Sequence, residues 1–116
     1  MHLVAHSFGG LVSLGFLETA PETVSSVTFF EANPLGLLKL EGESDLDAEL
    51  QAMIAGFQAQ VNAHDPDAAK TIIDYYGGAG FFDALPENVR TYCTTTAKVN
   101  ALDWQTGMSY RPNPER

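Results

Sequence analysis

The most constraining feature of the sequence is a serine between small residues near the amino terminus, in the stretch MHLVAHSFGG. Leu3–Ala5 is a short apolar run that suits the end of a buried strand, and a helix-compatible run follows the glycines. If a serine at the apex of such a tight turn has a strained backbone, the residues two positions before and after it are forced close together and must both be small. Ala5 and Gly9 stand two positions before and after Ser7, and Gly10 lets the helix lie close to the strand.

The pattern small-x-Ser-x-Gly resembles the nucleophile elbow of the α/β-hydrolase family, whose commonest form has Gly where Ala5 stands. The resemblance implies that Ser7 is a catalytic nucleophile and that the backbone amide of Phe8 is an oxyanion donor. That amide would lie in the first helical turn, where the helix dipole favours negative charge. The alternative is a Ser-Gly helix start in another α/β protein, with Ser7 merely capping the helix.

A second strand is predicted after this helix. The helix should stop before Pro21, and Ser26–Glu31 is rich in β-branched and aromatic residues. Strand, helix and strand at this spacing predict a right-handed crossover with two parallel strands. Parallel strands are normally covered on both faces.

The sequence from Glu43 to Trp104 is predicted to be helical with short breaks. One helix should run from about Asp45 to Ala63 with Ser44 as its N-cap, and the next from Asp65-Pro66 to Gly77-Gly78. Pro86 should open the last helix, with Phe81-Phe82 in the loop before it. The apolar faces are predicted to comprise Leu46, Leu50, Met53, Ile54, Phe57 and Val61 in the first helix, Ile72, Ile73, Tyr75 and Tyr76 in the second, and Val89, Tyr92 and Val99 in the last.

A softer resemblance lies in the run IDYYGGAGFF followed by ALPENVR, residues 73–82 and 84–90. It is similar to the cap of certain bacterial α/β-hydrolases. The predicted fold class is therefore α/β: a partial α/β-hydrolase fold in which a βαβ unit with two parallel strands precedes a mostly helical cap. The predicted domains are residues 1–34 for the partial core, 35–105 for the cap and 106–116 for an exposed tail.

The catalytic triad that the resemblance implies is incomplete in this sequence. Family members place the acid and then the histidine after the serine, but His64 is the only histidine after Ser7. We expect His64 to be solvated at a helix junction, and His6 to be packed, hydrogen-bonded and directed away from the serine. The parent enzyme's acid and base would then lie outside this chain, which is interpreted as an internal fragment and is expected to be inactive alone.

Two carboxylates can be weighed as candidates for further roles. Glu31 ends the second strand, where some relatives carry the triad acid, and it could equally be a carboxylate at the rim of the cleft. Asp74 is expected to be a hydrogen-bond partner on a helix surface or cap loop. The parent's substrate would be a small apolar ester or related molecule, whose identity the sequence does not specify.

Charge and cysteine content restrict the partners and the compartment. The net charge of −9 argues against nucleic acid and anionic membrane as partners, because both require basic patches. Cys93 is the only cysteine, which agrees with a reducing compartment, and we expect a cytoplasmic protein. No signal peptide, membrane span, metal site or cofactor is predicted. A different class of function, a helical binding or dimerising module that self-associates through exposed strand edges, remains open.

Overall fold

The structure is a computed structural model that describes residues 1–32, 34–111 and 113. The chain divides into two compact units, Met1–Asp47 with Thr106–Arg116 in one and Ala48–Gln105 in the other. The elements in chain order are β1 (His2–His6), α1 (Phe8–Thr19), β2 (Ser26–Phe30), α2 (Ser44–Asn62), α3 (Ala68–Gly77), α4 (Phe81–Ala84) and α5 (Glu87–Ser109), with short 3₁₀ helices at Pro21–Thr23 and Leu35–Leu37. The fold is thus α/β and mostly helical, and both unit boundaries fall inside helices.

The first unit contains the predicted βαβ segment. β1 and β2 pair in parallel, in a register that runs from His2 opposite Ser26 to His6 opposite Phe30. The prediction of two parallel strands joined by a helix is therefore confirmed. β2 ends one residue earlier than expected, because Glu31 leaves the extended conformation with a φ of 49°.

Side chains of β1 alternate between a covered and an open face of the sheet. Ala5 is buried on the face covered by α1, and Leu11 of α1 is buried as well. Val4 points the other way and is 74% exposed, so the expectation that Leu3–Ala5 forms a buried run is wrong at its middle residue. Phe30 of β2 is 56% exposed in the same way. Within the described residues, this face of the parallel sheet carries two large apolar side chains in water.

The second unit has a helical core. Its buried hydrophobic side chains are contributed by α2, α3 and α5 and comprise Leu50, Ile54, Phe57, Ala68, Ala69, Ile72, Ala97, Ala101 and Trp104. Phe57 is fully buried, and Tyr76 stacks on Trp104 with their ring centroids 5.4 Å apart. The predicted stripe of α2 is therefore core at three of its six positions, whereas Leu46 near the helix start is exposed.

Two helix starts differ from the predictions. α3 begins at Ala68 and not at Asp65-Pro66, because the Asp65 carboxylate accepts a hydrogen bond from the Asp67 amide at 2.9 Å and closes a turn first. Ser44 is the first residue of α2 and not its N-cap. α3 ends at Gly77 as expected, with Gly78 at a φ of 92° after it.

The last part of the chain differs more from the predictions than these helix starts do. Phe81-Phe82 begins the short helix α4 and does not lie in a loop. α5 buries Ala97, Ala101 and Trp104, while Tyr92 and Val99 of its predicted apolar face are exposed.

α5 also continues beyond Trp104 to Ser109, into the predicted exposed tail. Gly107 is buried beside Leu11, and the Tyr110 hydroxyl donates to Glu18 Oε1 at 3.1 Å. The expectation of a poorly ordered tail therefore fails at residues 106–109, which are helical, although Thr106 and Ser109 are exposed as expected. Residues 112 and 114–116 lie outside the described residues. The predicted division at residue 34 stays a prediction. Over the ranges that the structure describes, no helix has both the length and the apolar character that a membrane span needs.

Candidate functional site: the Ser7 turn and its surroundings

Ser7 occupies the turn between β1 and α1 with an unusual backbone. Its φ of 52° and ψ of −125° lie outside the right-handed helical, extended and left-handed helical regions. The Ser7 amide donates to the Phe30 carbonyl at 3.0 Å, and the Gly10 amide donates to the Ser7 carbonyl at 2.8 Å. Hydrogen bonds on both sides therefore hold a conformation that costs about 1–3 kcal/mol at a non-glycine residue.

The Ser7 side chain is solvent-exposed and makes no capping hydrogen bond to α1. The alternative that Ser7 serves as an ordinary helix cap is therefore wrong, because a serine cap accepts a hydrogen bond from the first helical turn. The strained backbone instead presents the hydroxyl to solvent at the carboxyl end of β1.

Close approach in this turn occurs at Gly10 and not at Gly9. A Cβ atom built on Gly10 would overlap the Ala32 Cβ and lie 3.1 Å from the Ala32 Cα. A Cβ on Gly9 would meet no atom within 4 Å, so the structure does not show the predicted crowding of Gly9. The small residue that the packing requires is thus the one that brings α1 against the end of β2.

The amide of Phe8 opens α1 beside the Ser7 hydroxyl. The first amides of a helix have no acceptor within the helix, and the Phe8 amide donates to none of the described residues. No acidic side chain stands in the first turn of α1 to compete for it. This amide is therefore free to donate to an anionic group that forms next to Ser7.

His6 and Glu31 form a pair at the ends of the two strands. His6 Nε2 lies 3.2 Å from Glu31 Oε2, and the two side chains are 69% and 82% exposed. The expectation of a hydrogen-bonded His6 is confirmed, but the expectation that it is packed is wrong. The Glu31 carboxylate thus lies beside the residue that precedes Ser7, bound to His6.

Within the described residues, neither of the other two histidines is hydrogen-bonded to the Ser7 hydroxyl. His2 Nδ1 bonds to Ser26 Oγ at 2.8 Å. His64 is exposed between α2 and α3, with a φ of 57°, as expected for a solvated helix junction. Over the described residues, no histidine ring is hydrogen-bonded to Ser7 Oγ, so a triad is not assembled in this chain.

Asp74 organises the glycine-rich turn after α3, in the role expected for it. Its carboxylate accepts hydrogen bonds from the Phe82 amide at 2.7 Å and the Gly80 amide at 3.2 Å. The bond from Phe82 is the main reason that the pKa of Asp74 lies below its ordinary value. Lys70 stands 3.9 Å away and also pairs with Asp83. This carboxylate therefore fixes a turn.

A cavity of about 750 Å³ lies in the same unit as Ser7 but is lined by other residues. Its lining combines apolar side chains of α1, β2 and the segment after β2 with the carboxylates of Glu31 and Glu41. The sequence interpretation missed it, although the run PLGLLKL at the carboxyl end of β2 is an apolar signal at the edge where α/β folds place their sites. No group of three His, Cys, Asp or Glu side chains that could hold a metal occurs in the part of the chain that the structure describes.

The chain was compared with protein-family models, with curated proteins and with solved structures, and none of them matched it. A functional proposal therefore depends on the geometry of the chain itself.

Proposed function

We propose that this chain carries the nucleophile segment of a serine hydrolase of the α/β-hydrolase type. The substrate would be an ester or a related small apolar carbonyl compound. The observation that carries the proposal is the backbone of Ser7, whose strained φ and ψ present an exposed hydroxyl between a parallel strand and a helix. Backbone strain of this kind concentrates at functional sites, where the surrounding structure maintains it.

The free amide of Phe8 supports the same proposal. Attack by Ser7 Oγ on a carbonyl carbon forms an oxygen–carbon bond and moves an electron pair onto the carbonyl oxygen. An amide at a helix start is suited to stabilise that negative charge, because it needs no reorganisation when the charge develops. Collapse of the intermediate then expels the alcohol and leaves an acyl group on Ser7.

The hydroxyl proton needs a base during attack, since a serine hydroxyl alone is a weak nucleophile. His6 is bound to Glu31 and His64 stands at a helix junction, so we propose that neither acts as this base. Glu31 is the proposed triad acid, because it follows β2 at the carboxyl end of that strand. We expect the chain by itself to be inactive or nearly so on a short-chain p-nitrophenyl ester.

Chemical rescue tests the nucleophile without relying on the missing base. The chain is incubated with an alkyl fluorophosphonate, with and without imidazole as an added base, and labelled peptides are quantified by mass spectrometry. Imidazole takes the Ser7 proton, the Ser7 oxygen bonds to phosphorus, and fluoride leaves. We expect imidazole to raise labelling of Ser7 above that of Ser25, an exposed serine outside the turn.

The matched variants are Ser7→Ala, which should abolish the imidazole-dependent label in this turn, and Ser25→Ala, which should leave the labelling of Ser7 unchanged. Equal labelling of Ser7 and Ser25 with imidazole present would remove the support for a nucleophile at this turn. Ser7-dependent ester turnover without any added base would refute the inactivity of the chain alone while retaining the nucleophile.

A second candidate function is a binding or dimerising module without catalysis. The observation that favours it is the open face of the sheet, where Val4 and Phe30 are exposed although parallel sheets are normally covered on both faces. Two copies would cover these side chains by associating through this face or through the strand edges. Analytical ultracentrifugation measures the oligomeric state. A chain that dimerises, and no longer does so after Val4→Ser, would support this function, whereas a chain that is monomeric at all accessible concentrations would refute it.

A further inference from the structure

The cavity beside α1 is lined mainly by apolar side chains, and its two charged groups are both carboxylates. Leu14 of α1 and Phe29 of β2 contribute one part of the apolar lining, and Leu37 and Leu40 of the following segment contribute another. The volume of about 750 Å³ lies in the range of cavities that hold small organic ligands. Apolar walls of this extent favour a ligand with an apolar body.

The wall formed by residues 35–43 is held in place by its own backbone. The amides of Leu40 and Glu41 donate to the Leu37 carbonyl at 2.8 and 3.0 Å, and the Glu43 amide donates to the Leu38 carbonyl at 3.0 Å. The cavity therefore does not depend on an extended loop that must first become ordered. Preformed walls lower the entropic cost of binding.

The polar part of the lining consists of carboxylates. Glu31 and Glu41 both line the cavity, and its lining within the described residues includes no lysine, arginine or histidine. Glu31 is also bound to His6, whereas Glu41 has an exposed side chain. An anionic ligand would be repelled here, and a neutral ligand would form no ion pair with either carboxylate. Charge complementarity therefore selects a cation.

We propose that this cavity binds a small amphiphilic cation, an organic ammonium with an aryl or alkyl body. The body lies between Leu14, Phe29, Leu37 and Leu40, and the ammonium lies at Glu41 with Glu31 as a second counter-charge. Ser7 is not part of the lining, and although Glu31 is also the carboxylate proposed above as the triad acid, the existence of this site does not depend on the proposed hydrolase function.

Three probes of one shape test the charge preference: phenylbutylamine, phenylbutanol and phenylbutyrate. Binding to the full chain is followed by amide NMR shifts in a ¹H–¹⁵N spectrum. We expect the amine to bind roughly three-fold or more tightly than the alcohol, because solvent-accessible ion pairs contribute modestly. The butyrate should bind weakest, and the shifts should concentrate at Leu14, Phe29 and residues 35–41.

Two pairs of variants distinguish binding in this cavity from non-specific attraction of the amine to the negatively charged protein. Glu41→Gln should remove most of the preference for amine over alcohol, whereas Glu22→Gln, which removes one negative charge equally at an exposed position outside the lining, should preserve it. Leu40→Asn should weaken the amine and the alcohol together, while Leu46→Asn, at another exposed leucine, should weaken neither.

Several outcomes would overturn the proposal. Butyrate binding as tightly as amine would contradict the charge argument, and equal effects of the two glutamate variants would show attraction to the net charge alone. Shifts confined to other residues would place the ligand elsewhere. Fluorophosphonate labelling of Ser7 is a separate measurement that none of these results changes, so failure of one proposal is distinguishable from failure of the other.

Discussion

The two units of the molecule differ in how their conformation is maintained. In the unit that carries Ser7, the buried hydrophobic residues among those described are Ala5 and Leu11. The helical unit buries nine hydrophobic side chains, including the fully buried Phe57 and the large ring of Trp104. Because burial of apolar surface is the main favourable contribution to folding, the helical unit should be the more resistant to unfolding.

The strained backbone nevertheless lies in the unit with the smaller core. The Ser7 conformation therefore depends on directional contacts: two backbone hydrogen bonds and the close approach of Gly10 to Ala32. Most apolar burial and the strained Ser7 backbone are thus found in different units. Mutations can test this division, beginning with the largest expected effect.

Phe57→Ala should cause the largest loss of stability. Truncation of a fully buried phenylalanine costs about 3–5 kcal/mol, since it removes apolar burial and leaves a cavity. Phe30→Ala is the matched control in the other unit, where the side chain is 56% exposed and the expected loss is about 1 kcal/mol or less. Urea unfolding followed by circular dichroism measures both. Similar losses in the two variants would contradict the contrast between the units.

Gly10→Ala should destabilise the Ser7 unit by about 1–3 kcal/mol, because the new methyl group would overlap Ala32. Gly15→Ala in the same helix meets no atom within 4 Å and should stabilise the protein by up to about 1 kcal/mol. Hydrogen exchange of the β1 and β2 amides measures the local effect. If the two variants behave alike, helix propensity and not close packing determines the result.

Ser7→Gly should stabilise the protein by about 1 kcal/mol. Glycine adopts a positive φ without strain, so the substitution relieves part of the cost of this backbone. Ser13→Gly, inside α1, should lose about 0.5–1 kcal/mol instead, because glycine weakens a regular helix. Thermal unfolding measures both variants. A loss of stability in Ser7→Gly would show that the hydroxyl contributes more than the strain costs.

The parts of the fold that the sequence predicted were those controlled by neighbouring residues. The stop before Pro21, the β-branched run at Ser26 and the glycines after α3 each specify local structure, and the crossover followed from their spacing. The Ser7 turn is a local signal of the same kind, since its small neighbours occur within five positions.

The features that were predicted wrongly or missed depend on contacts between segments that are distant in the sequence. α5 buries Ala97 and Ala101, whose small side chains let other segments approach, and leaves Tyr92 in water. Hydrophobic periodicity favours the large residues and cannot identify such a face. The pairing of His6 with Glu31 and the cavity near Leu14 likewise depend on segments that meet only in the folded chain.

Asp74→Asn should have the smallest effect of the four, and its pH dependence identifies its cause. Hydrogen bonds from Phe82 and Gly80 stabilise the ionised carboxylate, so the folded pKa lies below the ordinary value of 3.8. A depressed pKa contributes stability that is fully present above pH 3.8 and is lost as the pH falls through the folded value. The variant should therefore be less stable than the parent at neutral pH, and the difference should shrink in acid.

The amide shift of Phe82 gives a direct measurement, because its proton bonds to the titrating carboxylate. Its midpoint should lie below 3.8 in the parent and the titration should vanish in Asp74→Asn, while Asp103→Asn leaves it unchanged. A midpoint at or above 3.8 would mean that these bonds do not favour the charged form. The turn after α3 would then be held by its backbone hydrogen bonds, from the Gly78 amide to the Asp74 carbonyl and from the Phe81 amide to the Gly78 carbonyl, and by the close approach of Phe81 to Gly77.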